Sequence, residues 1–70
     1  MVYLNEIRKR YPEKGVIEAF KQTARREREV LIKEHADVVS GKYMAFLVKN
    51  GFAKNGCPVT MKDLDDIIAL

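Results

Sequence analysis

The sequence predicts a small all-α domain of three or four helices, dominated by one long central helix. Three observations carry that expectation. Apolar residues recur at spacings of three and four from Leu4 to His35, the signature of helices with one buried face. Helix-boundary residues fall between the apolar stripes: Pro12, the N-cap candidate Ser40, and Asn50-Gly51 at a C-terminal end. The last segment opens on Thr60 with Asp63 three residues later, a variant of the capping box in which Asp replaces Glu.

The first helix is expected over residues 2–11. Leu4, Ile7 and Tyr11 make one apolar stripe, and Glu6 and Arg10 stand four apart in the favourable order. Pro12 ends this helix and, as a first-turn residue, suits the opening of the next.

The second helix is expected from about Pro12 to His35. Val16, Ile17, Phe20, Ala24, Leu31 and His35 form its inward stripe, but the stripe fails in the middle, where the next core position falls on Glu27 or Arg28. Glu29 and Lys33 form a favourable outer pair, and Arg26 and Glu29 can also meet. About 24 residues at 1.5 Å each give a helix of roughly 35 Å. A compact chain of this size has a diameter somewhat under about 30 Å. The long helix is therefore expected to overhang its own domain or to pack against a second copy.

Ser40 is the expected N-cap of a third helix of about ten residues, with Tyr43, Phe46, Leu47 and Met44 facing inward. Asn50-Gly51 suits its C-terminal end, and Phe52 supplies the hydrophobic contact of a Schellman motif. The alternative is an α+β fold with a hairpin around residues 43–57. Residues 43–48 are also good strand formers, and Asn-Gly is a strong hairpin-turn signal. Residues 52–59 read as a loop. The final helix carries Asp63, Asp65 and Asp66 early, where carboxylates suit the helix dipole. Met61, Leu64, Ile67 and Ile68 form its buried face, and the apolar ending Ile67-Ile68-Ala69-Leu70 must pack on the core or on another subunit, unless the chain is a fragment.

Seventy residues make a single domain, 1–70, with a net charge of +3. A chain this short buries only about 60% of its unfolded surface, so its stability is marginal. Cys57 and His35 are the only cysteine and histidine. They supply no disulfide framework and too few ligands for structural zinc, so no metal or cofactor is expected. A lone cysteine fits a reducing compartment. The longest apolar run, Tyr43–Val48, is far short of the roughly 20 residues a membrane helix needs, and the N-terminus lacks the apolar core of a signal peptide. The expected location is cytoplasmic.

Catalysis finds little support. Cys57 precedes a proline in a loop, His35 ends another element, and no third orienting group is indicated. The aspartates of the last helix are explained by capping, and Gly51 and Gly56 belong to no phosphate-binding pattern. No small-molecule substrate is implied. What stands out instead is the block Thr23–Glu29, two turns of mixed charge inside the long helix. A short chain needs nearly all of its regular structure for its core, so such a block is set aside for solvent or for a partner. Arginine makes bidentate bonds to carboxylates and is enriched at binding hot spots.

The expected function is that of a non-enzymatic regulatory protein, a homodimer that binds a protein partner through Arg25, Arg26 and Arg28, with Lys21 and Lys33 flanking. The alternative is a nucleic-acid-binding protein that adds Arg8, Lys9, Arg10, Lys42 and Lys49. Residues 38–62 carry lysines and no acid, which favours the alternative. Glu27 and Glu29 interrupt the arginines, and the acidic last helix would be repelled by phosphate, which disfavours it. The size suits a small phage- or plasmid-encoded regulator, an expectation that no motif carries.

Overall fold

Residues 2–70 are described by a computed structural model. They form four helices: α1 (Leu4–Arg10), α2 (Lys14–Glu34), α3 (Gly41–Lys49) and α4 (Met61–Ile68). The only strand-like pairings among these residues are two isolated antiparallel bridges, Val2–Ala53 and Val38–Thr60. The fold is the expected all-α domain with a long central helix, and the hairpin alternative is overturned. Residues 43–49 are helical, and Asn50-Gly51 closes that helix. Gly51, at φ 78°, takes the left-handed position of a Schellman motif. Its N–H bonds Val48 O at 3.1 Å, and the Phe52 N–H bonds Leu47 O at 2.9 Å. The second Asn-Gly makes a tight turn instead of a hairpin, with Cys57 N–H on Lys54 O at 3.2 Å and Gly56 at φ 87°.

The ends of the other helices show where local chemistry decided and where it was overruled. α2 begins at Lys14, two residues after Pro12, so Pro12 does not open it. The ring of Pro12 disfavours helical backbone at Tyr11, and the chain stays extended through Glu13, the N-cap, at φ −83° and ψ 137°. α2 ends in a second Schellman motif, with His35 at φ 53° where glycine is usual. The Ala36 N–H reaches Leu31 O at 2.9 Å, and half-buried Ala36 packs on the core. His35 is therefore an exposed cap, not a member of the inward stripe. Ser40 caps α3 as expected, its Oγ accepting from Tyr43 N–H at 3.3 Å. At α4, Asp63 Oδ2 accepts from the Thr60 N–H at 2.9 Å, completing the reciprocal capping box with Asp in place of Glu.

One core joins all four helices: Ile7 from α1; Phe20, Ala24 and Leu31 from α2; Tyr43 and Leu47 from α3; and Leu64 and Ile67 from α4. Phe52, Ala53 and Val59 seal it from the loop. Phe52 and Phe20 meet edge to face at 5.3 Å between ring centres, with Tyr11 against both. Val16 is 45% exposed and leaves the expected stripe.

The long helix spans nearly the full length of the domain. The domain measures 33 × 22 × 17 Å with a radius of gyration of 11.3 Å, so the radius matches a compact chain but the shape is elongated. The 21 residues of α2, roughly 31 Å long, account for most of the long axis. α4 packs along α2, and the apolar C-terminus is covered within the same chain: Ile67 is buried, and Ile68 and Leu70 pack on the core. The apolar ending, one ground for expecting a homodimer, is thus accommodated inside one molecule.

Candidate functional site

The charged block of α2 acquires its geometry from the helical repeat. At 100° per residue, Ala24 and Leu31 point into the core, and Glu27 and Arg28 lie on either shoulder of that face. Glu27 turns toward α3, where its Oε2 accepts the Ser40 N–H at 2.8 Å. Arg28 turns toward α4, where its Nε donates to Asp65 Oδ1 at 2.9 Å. The gap in the apolar stripe is where the long helix is tied to its two neighbours by polar bonds.

Most of the cations expected to meet a partner are likewise engaged within the chain. Lys21 Nζ and Arg25 Nη2 share Glu18 Oε1 at 3.5 and 3.8 Å, and the Lys21 side chain is only 15% exposed. Arg26 and Lys33 form no ion pair among the described residues, and the expected pairs of Glu29 with Lys33 and with Arg26 do not form. On α1, Glu6 pairs with Lys9 at 3.6 Å in place of Arg10. Arg10 instead donates to the Asn50 carbonyl at 3.2 Å and lies over the Phe52 ring at 5.3 Å. Arg8, Lys42 and Lys49 are exposed and carry no ion pair among the described residues.

α3 is consequently held at both ends by charge: a carboxylate at its N-terminus and a guanidinium at its C-terminus, each of the sign its dipole favours. Between those ends the helix is apolar almost all round. Tyr43 and Leu47 are buried, Met44 and Val48 half-buried, and Ala45 and Phe46 exposed. Lys42 and Lys49, seven residues apart, share one outward face.

The structure brings α2 and α3 together around a groove of about 360 Å³. Thr23, Arg26 and Val30 line it from α2, and Lys42, Tyr43 and Phe46 from α3. The Glu27–Ser40 bond ties the two walls. Val30 is 40% exposed and Phe46 38%, a large fraction for apolar side chains lining one groove. Tyr43, stacked on Phe46 at 6.1 Å, is the exception in polarity. Its hydroxyl is buried and is the only buried side-chain polar atom without a hydrogen-bond partner among the described residues. Burial pushes the Tyr43 pKa up to about 12, and the nearby charge of Glu27 adds to the rise.

A second hollow of about 450 Å³ lies between α2 and α4, lined by Arg25, Arg26, Arg28, Glu29, Asp65 and Ile68, but its central charges are already satisfied by the Arg28–Asp65 bond. Sequence reasoning found Arg26 and Lys42 but missed the groove they rim, because it placed Phe46 inward and did not place Val30. The available signal was the composition of Gly41–Lys49, too apolar for a helix with an outward face and charged only by lysines.

Among the described residues, no helix is long and apolar enough to cross a membrane, and no group of three or more His, Cys, Asp or Glu is arranged to hold a metal ion. No protein-family model matches the chain, and no curated protein or solved structure is detectably similar to it.

Proposed function

We propose that this chain is a non-catalytic interaction protein whose α3 surface is covered by another protein. The observation that carries this reading is the circumference of α3. An apolar side chain of a helix is normally turned to the core, yet on α3 Ala45 and Phe46 face outward beside Lys42 and Lys49, with Met44 and Val48 only half covered. The reading moves the contact surface from the arginines of α2 to α3 and the adjacent edge of α2. Arg28, Arg25 and Lys21 are occupied within the chain, and Arg26 remains available on the groove.

A photo-crosslinking amino acid at Ala45, compared with one at exposed Lys62 on α4, tests the proposal in the native host. The expected result is a discrete polypeptide adduct at position 45 and none at 62. Equal labelling at both positions, or adducts to nucleic acid alone, would overturn it. The latter outcome would favour the nucleic-acid alternative, for which Lys42, Lys49 and Arg8 remain free cations.

A further inference from the structure

We infer that the occupant of the α2–α3 groove is an acidic amphipathic helix, one that seats an apolar side chain against Val30 and Phe46 and sets carboxylates against Arg26 and Lys42. This rests on the proposed function and deepens it by naming the chemistry of the partner.

Shape is the first argument. Thr23, Arg26 and Val30 follow one another at three and four residues and form a single ridge of α2. Lys42, Tyr43 and Phe46 form the facing ridge of α3. A furrow between two such ridges accepts the ridge of a third helix, by the same packing that joins helices inside proteins. From Thr23 to Val30 the α2 wall runs about 10 Å, or two helical turns. That length admits anchors at positions i, i+3 or i+4, and i+7 of the incoming helix.

Charge is the second. Arg26 and Lys42 stand on opposite walls, both exposed and both without an ion pair among the described residues. The one carboxylate lining the groove, Glu27, is held by the Ser40 N–H. Residues 38–62 contain no acid, so nothing on α3 offsets its lysines. An incoming carboxylate on each side of the apolar anchor completes the rim. An incoming lysine would face two like charges.

The test is selection from a displayed library of helical peptides, randomised at charged and apolar positions, against the whole protein. Selected helices are expected to carry Asp or Glu on both sides of a Leu, Phe or Trp anchor. Their amide NMR perturbations are expected at Val30, Lys42 and Phe46. The double variant Arg26→Glu/Lys42→Glu should bind them at least tenfold more weakly and should accept lysine-for-glutamate peptides in their place. Lys62→Glu, far from the groove in sequence, should bind like the parent protein.

Selected helices with no acidic bias, or affinity untouched by the charge reversal, would overturn the inference. So would perturbations confined to Met44, Ala45 and Val48, or displacement of the peptide by duplex DNA. Concentration-dependent perturbation of the groove without peptide would also overturn it and assign the site to a second copy. A protein adduct at Ala45 would leave the proposed function standing in the first of these cases; its absence would sink both.

Discussion

Replacing Glu27 tests whether the polar interruption of the long helix is a structural tie. In Glu27→Ala the Ser40 N–H at the start of α3 loses its acceptor at 2.8 Å. A backbone hydrogen bond to a charged group is worth about 1.5–3 kcal/mol. The lower end applies, because the bond is exposed to solvent. Losing a negative charge at a helix N-terminus adds about 0.3–1 kcal/mol. Alanine's better helix propensity returns a few tenths of a kcal/mol. The net loss is about 1.5 kcal/mol, which at 4–8 °C per kcal/mol lowers the Tm by roughly 6–12 °C. Glu27→Gln keeps an acceptor without the charge and should fall between the two. Thermal unfolding followed by circular dichroism at 222 nm reads the series. An alanine variant as stable as the parent would refute the argument, as would a glutamine variant as weak as alanine. Helicity at low temperature should stay near that of the parent, since Ser40 Oγ still caps Tyr43 N–H.

Other outcomes follow from the same contacts. Arg28→Ala should cost less than Glu27→Ala, about 0–1 kcal/mol, because the Arg28–Asp65 pair is about half exposed on both sides; urea titration of the two variants side by side checks the ranking. Tyr43→Phe removes a buried donor with no partner, so its urea midpoint should equal or exceed that of the parent. Burial holds the Tyr43 pKa at about 12 in the fold, against the ordinary tyrosine value of 10.0, so its contribution to stability is complete below pH 10 and is lost as pH rises toward 12. Ultraviolet titration of tyrosinate should show a component near pH 12 that disappears in Tyr43→Phe. The two left-handed caps respond oppositely to exchange: Gly51→Ala should destabilise by about 1 kcal/mol, whereas His35→Gly should be neutral or mildly stabilising.

The fold was legible wherever capping chemistry is local. Ser40, Asn50-Gly51 with Phe52, and Thr60 with Asp63 each satisfy nearby backbone groups, so short windows of sequence define three helix ends. Pro12 misled because its effect on Tyr11 outweighed its fitness as a first-turn residue. His35 misled because its spacing fits an apolar stripe, whereas the chain needed a left-handed residue there. The site was less legible for a different reason. Whether an arginine is free depends on residues far along the chain: Arg28 is taken by Asp65, 37 positions away, and Arg10 by the carbonyl of Asn50, 40 positions away. Periodicity places these side chains on a helix face but says nothing of what stands opposite. The shape of the domain was not legible on a similar point, since a radius of gyration fixes the size of a domain and not its elongation.

The pinning of α3 at both ends also governs how the molecule opens. Nine residues are too few to hold a helix in water unaided. The anchors come from two other helices, Glu27 of α2 and Arg10 of α1, and the middle is fixed by Tyr43 and Leu47 in the shared core. α3 therefore depends on the rest of the domain for its helical form. The wall of the groove is only as durable as those two solvent-exposed anchors and the buried pair Tyr43 and Leu47, and exchange of the α3 amides reads them directly.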